Sequence, residues 1–206
     1  QAEDGIRDRS PSRGLGDVYK RQVVSELVFK DAMENVIKPT VSAMKKEGMP
    51  YTGFLYAGLM IDNHEKVKVL EYNCRFGDPE TQPIMMRLKT NLAQLCKAAT
   101  QGNLELESAD WDEKTALGVV MAADGYPNFY QKGKVITIPD ASSESKVFHA
   151  GTKLEDGNIL SNGGRVLCAT SLGLNLEEAQ EKAYNLVKMV NWDGSYYRTD
   201  IGFKGL

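Results

Sequence analysis

Residues 68–80 read KVLEYNCRFGDPE, and this stretch carries the strongest structural signal in the chain. Successive side chains of a β-strand point to opposite faces, so residues two apart share a face. A strand through this stretch has an apolar face made of Leu70, Tyr72, Cys74 and Phe76. Its other face carries Glu71, Asn73 and Arg75. We therefore predict a strand with an acid, an amide and a guanidinium in a row on one side.

This polar face has the chemistry of a magnesium-nucleotide site. Mg²⁺ takes oxygen ligands at about 2.0–2.1 Å and is usually held by one or two side chains plus phosphates and water. Glu71 and Asn73 offer such oxygens, and Arg75 offers a fork of donors for a phosphate. A solvated outer face of a hairpin gives the same alternation. Both interpretations stay open on the pattern alone.

The residues after the strand indicate the start of a helix. Asp78 suits the N-cap position and Pro79 the first helical position. We predict a helix from Pro79 to about Ala99, ended by Gly102. Its N-terminus would supply donors beside the polar face, where an anionic substrate could lie. Capping is the simpler role for Asp78.

The same stretch carries a family resemblance. Residues 75–82, RFGDPETQ, resemble the signature of the phosphoribosylamine-glycine ligases, also called glycinamide ribonucleotide synthetases. Residues 53–60, GFLYAGLM, resemble the strand before it, and the likeness runs from about Val23 to the C-terminus. The resemblance implies an α+β chain: the C-terminal part of an ATP-grasp domain, followed by a small α+β domain of short strands and one helix.

The resemblance also implies a reaction of purine biosynthesis. ATP would phosphorylate glycine, and the amine of 5-phosphoribosylamine would attack the glycyl phosphate to give glycinamide ribonucleotide, ADP and phosphate. Glu71 and Asn73 would hold Mg²⁺ or Mn²⁺, and Asn73 and Arg75 would contact the nucleotide. The catalytic residues would be Arg75, which stabilises charge, and Asp78, which orients an amine. Another ATP-grasp carboxylate-amine ligase or carboxylase, or a nonenzymatic interaction domain, are the alternatives.

The chain has 206 residues, about half the length that the family implies. The implied front half holds a substrate domain and the glycine-rich, lysine-bearing part that covers the nucleotide. We therefore predict that the 206-residue chain alone has no ligase turnover.

Residues 1–22 have almost no apolar periodicity. Their last part, Asp17 to Gln22, resembles a translated sequencing adapter, so we predict a disordered segment of non-native origin. An alternative interpretation is a basic arm that binds nucleic acid, but the segment has only five basic residues against four acidic ones. This balance is too small for an electrostatic footprint.

The composition argues against two classes of partner, and the small-molecule substrates are implied by the family resemblance. The formal net charge is −3, which argues against nucleic acid or anionic membranes. No apolar run reaches the roughly 18 residues of a membrane span. The cysteines Cys74, Cys96 and Cys168 have no paired spacing and are predicted to be small core residues in a reducing cytoplasm. The full-length form is predicted to be a monomer.

The remaining pattern predicts two domains, residues 23–102 and 103–206. The first begins with a helix from Val23 to about Lys46, which Pro39 should kink or split near Lys38. A hairpin from Tyr51 through the signature strand follows. The second domain has predicted strands at Leu117–Ala123, Val135–Ile138, Val147–Ala150, Ile159–Leu160 and Arg165–Thr170, and a helix capped by Asn175 and Glu178.

Three polar residues of the second domain have two open interpretations. His149, Lys153 and Arg165 could line a substrate cleft, or they could have surface and local turn roles.

Overall fold

A computed structural model describes residues 24–62 and 64–206, so the expectation for residues 1–22 lies outside the described residues. These residues form two compact units. The hairpin unit comprises residues 24–81 and Leu88–Trp111, and the sheet unit comprises Gln82–Arg87 and Asp112–Leu206. The mixture of helices and antiparallel sheets confirms the predicted α+β class. The predicted limit between residues 102 and 103 stays a prediction. The division seen here differs by assigning Gln82–Arg87 to the sheet unit and residues 103–111 to the hairpin unit.

The hairpin unit opens with a helix that changes type twice. Helix α1 is Glu26–Asp31, a π-helical segment is Ala32–Ile37, and helix α2 is Lys38–Lys46. The Lys38 amide donates to the Met33 carbonyl, five residues back. Pro39 has no N–H to continue the ladder, which explains a register change at this point. The helical run continues through Lys38 without a break, so no split occurs there, and a kink, the other expected outcome, stays a prediction.

Two antiparallel strands follow, β1 (Tyr56–Ile61) and β2 (Val67–Asn73). Asp62 shapes the connecting turn, because its carboxylate accepts from the His64 amide at 2.9 Å and the Lys66 amide at 3.0 Å. These backbone hydrogen bonds lower the pKa of the Asp62 carboxyl, with the Lys66 bond contributing most. The predicted hairpin is confirmed.

The single helix predicted from Pro79 to Ala99 is wrong. The chain instead forms α3 (Thr81–Arg87) and α4 (Leu92–Gln101). The break is held from outside the helix: the Lys89 amide donates to the Asp110 carbonyl at 2.9 Å. Asn91 then caps α4, since its side chain accepts from the Ala93 amide. Gly102 ends α4 with a φ of 72°, as predicted.

The sheet unit is built on a four-stranded antiparallel sheet. In chain order its strands are β3 (Thr115–Ala123), β4 (Ser145–His149), β7 (Arg165–Gly173) and β8 (Ser195–Tyr197). Their order across the sheet is β4-β7-β3-β8. Between β4 and β7 lies a small hairpin, β5 (Thr152–Glu155) and β6 (Asn158–Ser161). Residues 135–138, predicted as a strand, make only isolated bridges such as Val135 with Leu160.

Helix α5 (Leu176–Met189) covers one face of this sheet. Ala179 and Ala183 on the helix, and Val119 and Val166 on the strands, are completely buried. The predicted cap is confirmed: the Glu178 amide donates to Asn175 Oδ1 at 2.9 Å. The Glu178 carboxylate accepts in return from the Leu174 amide. Because Ala179 and Ala183 have small side chains, the backbone of α5 lies close to the sheet.

The cysteines differ in their surroundings. Cys168 is buried in the core, as predicted. Cys96 is half-buried and Cys74 is exposed, so the core assignment of Cys74 is wrong. Cys74 lies just beyond the last residue of β2, where no regular strand continues to pack it. In the described part of the chain, no helix has the length and apolar character needed to cross a membrane.

Candidate functional site

The strand pairing of β1 and β2 places Glu71 and Asn73 on one face. Gly58 is the cross-strand partner of Glu71, and Tyr56 is the partner of Asn73. Cross-strand partners lie on the same side of a sheet. The predicted alternation therefore holds at the two candidate metal ligands.

A bulge interrupts the alternation one residue earlier. The register shifts between Gly58 and Leu59, so that Leu59 pairs with Val69 and Leu70 has no partner across β1. Val69 consequently lies on the face opposite Glu71, together with Tyr72. The strand face opposite Glu71 therefore carries Val69 and Tyr72. Leu70, which was predicted to lie on that face, is the extra residue of the bulge.

Gly58 gives the Glu71 side chain its space. A Cβ atom on Gly58 would lie 3.0 Å from Glu71 Cγ and 3.6 Å from Glu71 Oε1. The Glu71 side chain therefore extends across β1 at the point where that strand has no side chain. Sequence reasoning did not single out Gly58. A glycine inside an apolar strand, which often marks a close approach, is the signal that could have found it.

Arg75 lies beyond the strand. Strand β2 ends at Asn73, and residues 74 and 75 form a bend. The Arg75 guanidinium donates from one terminal nitrogen to the Phe76 carbonyl at 2.8 Å. The Phe76 ring stacks on the Phe54 ring with 4.0 Å between centroids. Strand alternation therefore does not fix the position of Arg75 relative to Glu71 and Asn73.

The predicted N-cap role of Asp78 is wrong, because α3 begins three residues later at Thr81. Residues 78–80 form a turn instead. Both the amide and the hydroxyl of Thr81 donate to the Gly77 carbonyl, at 3.1 and 2.5 Å. The Glu80 carboxylate lies over Gly77, where a Cβ atom would come within 2.0 Å of Glu80 Oε2. Asp78 itself is exposed in this turn.

A tyrosine borders the end of β2. The Tyr51 hydroxyl donates to the Phe54 carbonyl at 2.7 Å. Burial raises the pKa of the Tyr51 hydroxyl, and its hydrogen bond with Cys74 raises it further. Because its pKa is raised, the Tyr51 hydroxyl stays protonated and can form hydrogen bonds beside Cys74, the residue that follows Asn73.

The polar residues of the sheet unit make local contacts. His149 Nδ1 lies 3.0 Å from Thr152 Oγ1, and Lys153 forms an ion pair with Glu155 at 2.6 Å. The Arg165 carbonyl accepts from the Gly151 amide at 3.0 Å. For His149 and Lys153 these contacts match the surface and turn interpretation.

The described residues contain no cluster of three or more His, Cys, Asp or Glu side chains suited to a metal. The predicted ligand pair is not a cluster of this type, because Glu71 supplies a single carboxylate and Asn73 supplies an amide.

Two sequence profiles of one family match the chain. Residues 7–81 match "Phosphoribosylglycinamide synthetase, ATP-grasp (A) domain", and residues 116–204 match "Phosphoribosylglycinamide synthetase, C domain". The chain belongs to the phosphoribosylglycinamide synthetase family. The resemblance of the signature stretch is thereby confirmed. The first match begins inside the segment predicted to be non-native, and the origin of that segment stays a prediction.

Relatives in this family are about 50% identical to the chain over the part of their sequence that aligns with it. The phosphoribosylamine-glycine ligase of Vibrio parahaemolyticus is 52% identical over 205 residues, covering 98% of this chain and 48% of that protein. The corresponding ligase of Salmonella typhimurium is 51% identical over 206 residues, with the same coverage of both chains. The chain thus spans about half the length of the relatives it matches.

Solved structures support the fold. The crystal structure of the phosphoribosylamine-glycine ligase from Thermotoga maritima matches with a TM-score of 0.76 and 37% identity, covering 86% of this chain and 44% of that chain. The biotin carboxylase domain of the Hydrogenobacter thermophilus 2-oxoglutarate carboxylase matches with a TM-score of 0.60 at 14% identity, covering 88% of this chain and 43% of that chain. The second likeness concerns the fold alone.

The sheet unit of this synthetase-family chain also contains an ion network that the sequence did not suggest. The Glu144 carboxylate accepts from Lys114 and, at 2.8 Å, from Lys182. Lys182 also pairs with Glu178 at 2.7 Å. Hydrogen bonds from Lys114 and Lys182 lower the pKa of Glu144 to about 2. The network joins the residue before β3, the residue before β4 and helix α5, which indicates a structural role.

Proposed function

We propose that the chain works as part of an ATP-dependent ligase that joins glycine to 5-phosphoribosylamine. The observation that carries this proposal is the shared face of Glu71 and Asn73, with Gly58 leaving room for the carboxylate. It is supported by about 50% identity to phosphoribosylamine-glycine ligases over nearly the whole chain. The activity is that of the full-length relatives, and this chain spans about half of their length.

The donor set suits a divalent ion of the magnesium or manganese type. A carboxylate and an amide give two hard oxygens on one face of β2, and phosphate oxygens and water usually supply the rest. Glu71 and Asn73 are therefore the proposed metal ligands. When bound, the ion would neutralise phosphate charge during phosphoryl transfer.

The chain's own residues have positioning and electrostatic tasks. Asn73 can orient the nucleotide phosphates through its amide, and Arg75 can stabilise negative charge once its guanidinium turns from the Phe76 carbonyl. Asp78, exposed in the turn before α3, is the proposed acceptor for the amine of a substrate. These assignments follow from the signature stretch and the chemistry of each group.

The proposed reaction has two steps. A glycine carboxylate oxygen attacks the γ-phosphorus of ATP, a P–O bond forms, and ADP leaves. The amine nitrogen of 5-phosphoribosylamine then attacks the acyl carbon, phosphate leaves and the amine loses a proton. Phosphoryl transfer depends mainly on positioning and charge stabilisation, which is the kind of help that these side chains can give. A cytoplasmic location and a monomeric full-length form stay predictions.

A hybrid enzyme tests the function. The front half of the Vibrio parahaemolyticus ligase is joined covalently to residues 23–206 of this chain, and formation of glycinamide ribonucleotide is measured. We expect turnover from the hybrid and none from the 206-residue chain alone. Glu71→Gln should raise the Mg²⁺ concentration needed for half-maximal rate by at least about 10-fold, since even outer-shell changes have effects of that size.

Leu154→Ala is the matched control, because Leu154 is highly exposed on β5 in the other unit. A folded hybrid without turnover would refute the proposal. So would a hybrid whose magnesium requirement is the same with Glu71→Gln as with Leu154→Ala.

A further inference from the structure

Strand pairing in the hairpin stops before the signature stretch ends. The last cross-strand pair is Tyr56 with Asn73, and in the part of the chain that the structure describes no bridge joins the residues before Tyr56 to those after Asn73. Arg75, the proposed charge-stabilising residue, lies two positions beyond this pair. Backbone that has left a ladder opens easily unless other contacts hold it, so the place of Arg75 depends on such contacts.

The hydroxyl of Tyr51 makes the first of these contacts. It donates to the Phe54 carbonyl at 2.7 Å, and this closes a turn over Gly53, where a Cβ atom would lie 3.6 Å from the hydroxyl oxygen. A tyrosine hydroxyl has one hydrogen to donate but can also accept. Since that hydrogen is given to Phe54, the thiol is the donor in the bond between Tyr51 and Cys74. Tyr51 therefore ties the segment before β1 to the residue that follows Asn73.

Two phenylalanines make the second contact. The Phe54 ring stacks on the Phe76 ring with 4.0 Å between centroids and 29° between planes. Stacked aromatic pairs are more stabilising than the area they bury alone would make them. We name Tyr51, Phe54 and Phe76 the aromatic clasp. The clasp holds Cys74 and Phe76, the two neighbours of Arg75, and the Arg75 guanidinium in turn donates to the Phe76 carbonyl at 2.8 Å.

We propose that Tyr51 is a positioning residue of the ligase, which fixes the backbone on both sides of Arg75 and so the place of its guanidinium relative to Asn73. The proposal rests on the proposed function, in which Arg75 stabilises negative charge. Such stabilisation depends on position, because a displacement of about 1 Å can cost about 100-fold in rate. The hydroxyl of Tyr51 carries the role, since that one group makes both hydrogen bonds.

Hydrogen exchange in the 206-residue chain tests the clasp without any need for turnover. Tyr51→Phe removes the hydroxyl and keeps the ring. We expect the backbone amides of residues 74–77 to exchange about 2-fold to 10-fold faster, the effect of one lost hydrogen bond, while those of β2 exchange as before. Mass spectrometry of peptides measures both. Tyr72→Phe is the matched control, because the Tyr72 hydroxyl lies 2.7 Å from Thr40 Oγ1 of helix α2 and not in the clasp.

Kinetics of the covalent hybrid separate positioning from folding. We expect Tyr51→Phe to lower kcat about 10-fold with the KM for ATP unchanged, since a charge-stabilising group acts in the transition state. The Mg²⁺ concentration needed for half-maximal rate should stay the same, because Glu71 and Asn73 lie within the strand pairing. In an Arg75→Gln background Tyr51→Phe should cost less than about 2-fold, since the group that it positions is gone.

Three results would overturn the proposal. One is exchange at residues 74–77 that is equal in Tyr51→Phe and Tyr72→Phe. Another is an active hybrid in which Tyr51→Phe lowers kcat no more than Tyr72→Phe does. The third is an undiminished loss in the Arg75→Gln background, which would give Tyr51 a role independent of Arg75. In these cases the proposed function would stand, whereas a folded hybrid without any turnover would refute that function and the role of Tyr51 in it together.

Discussion

Gly173→Ala should separate helix α5 from the sheet. Gly173 ends strand β7 and is buried there. A Cβ atom on it would lie 2.3 Å from the Ala179 amide nitrogen and 2.8 Å from both Ala179 Cα and the Glu178 carbonyl carbon. All three are backbone atoms of the helix, so no side chain can rotate away. The first turn of α5 must move by roughly 1 Å to restore ordinary contact distances.

The size of the effect follows from this geometry. Overpacking a core usually destabilises a protein by about 1–3 kcal/mol, and a clash with helix backbone belongs at the upper end. In a unit of about 100 residues, each kcal/mol lowers the melting temperature by about 4 °C or more. We therefore expect Gly173→Ala to lower it by roughly 8–12 °C. Thermal unfolding followed by circular dichroism, together with urea unfolding, measures the change.

Gly133→Ala is the matched control in the same unit. Gly133 has a φ of 80°, and a Cβ atom there would meet no atom within 4 Å. Its replacement tests backbone strain without crowding, and the expected loss is about 1 kcal/mol. A melting temperature for Gly173→Ala equal to or above that for Gly133→Ala would refute the crowding argument.

Other changes test the ion network, a buried amide and the candidate site. Because its two lysine partners lower the pKa of Glu144 to about 2, its ion pairs stabilise the fold above the ordinary carboxyl pKa and lose this effect as the pH falls toward 2. Urea unfolding should therefore show a destabilisation by Glu144→Gln at pH 7 that shrinks at pH 3, and a constant difference would contradict the linkage. Among buried side-chain oxygens of the described residues, Gln82 Oε1 lacks a hydrogen-bond partner, so Gln82→Met should leave the melting temperature unchanged or raise it. A clear fall in melting temperature would show that the amide is satisfied. In the covalent hybrid, Gly58→Ala should displace the Glu71 side chain and raise the magnesium requirement about 10-fold without unfolding the protein, as a magnesium titration of the rate would show. An unchanged titration would separate Gly58 from the metal site.

Local sequence rules predicted several elements correctly. Gly102 predicted the end of α4, Asn175 with Glu178 predicted the cap of α5, and Pro39 predicted an irregularity of the first helix near Lys38. Each depends on the conformational preference of one residue or on a hydrogen bond across one helical turn. Such preferences act whatever the rest of the chain does.

The errors have a common physical origin in distant contacts. The break between α3 and α4 is held by backbone hydrogen bonds to residues 110–112, such as that from the Asp112 amide to the Arg87 carbonyl. Residues 135–138 have the composition of a strand but pair only at single positions with β6 and with Asn191. Neither outcome can be read from a local window, because the partner residues lie far along the chain.

The sequence by itself determined the family and the α+β class. It also determined the common face of Glu71 and Asn73, because the two-residue period of a strand is a property of the backbone. Only the tertiary structure decided that Leu70 forms a bulge, that Gly58 clears a path for Glu71, and that Asp78 lies in a turn rather than at a helix cap. These features depend on which strand pairs with which residue and on where backbone donors find acceptors. Such pairings are fixed by packing across the fold and not by the order of neighbouring residues.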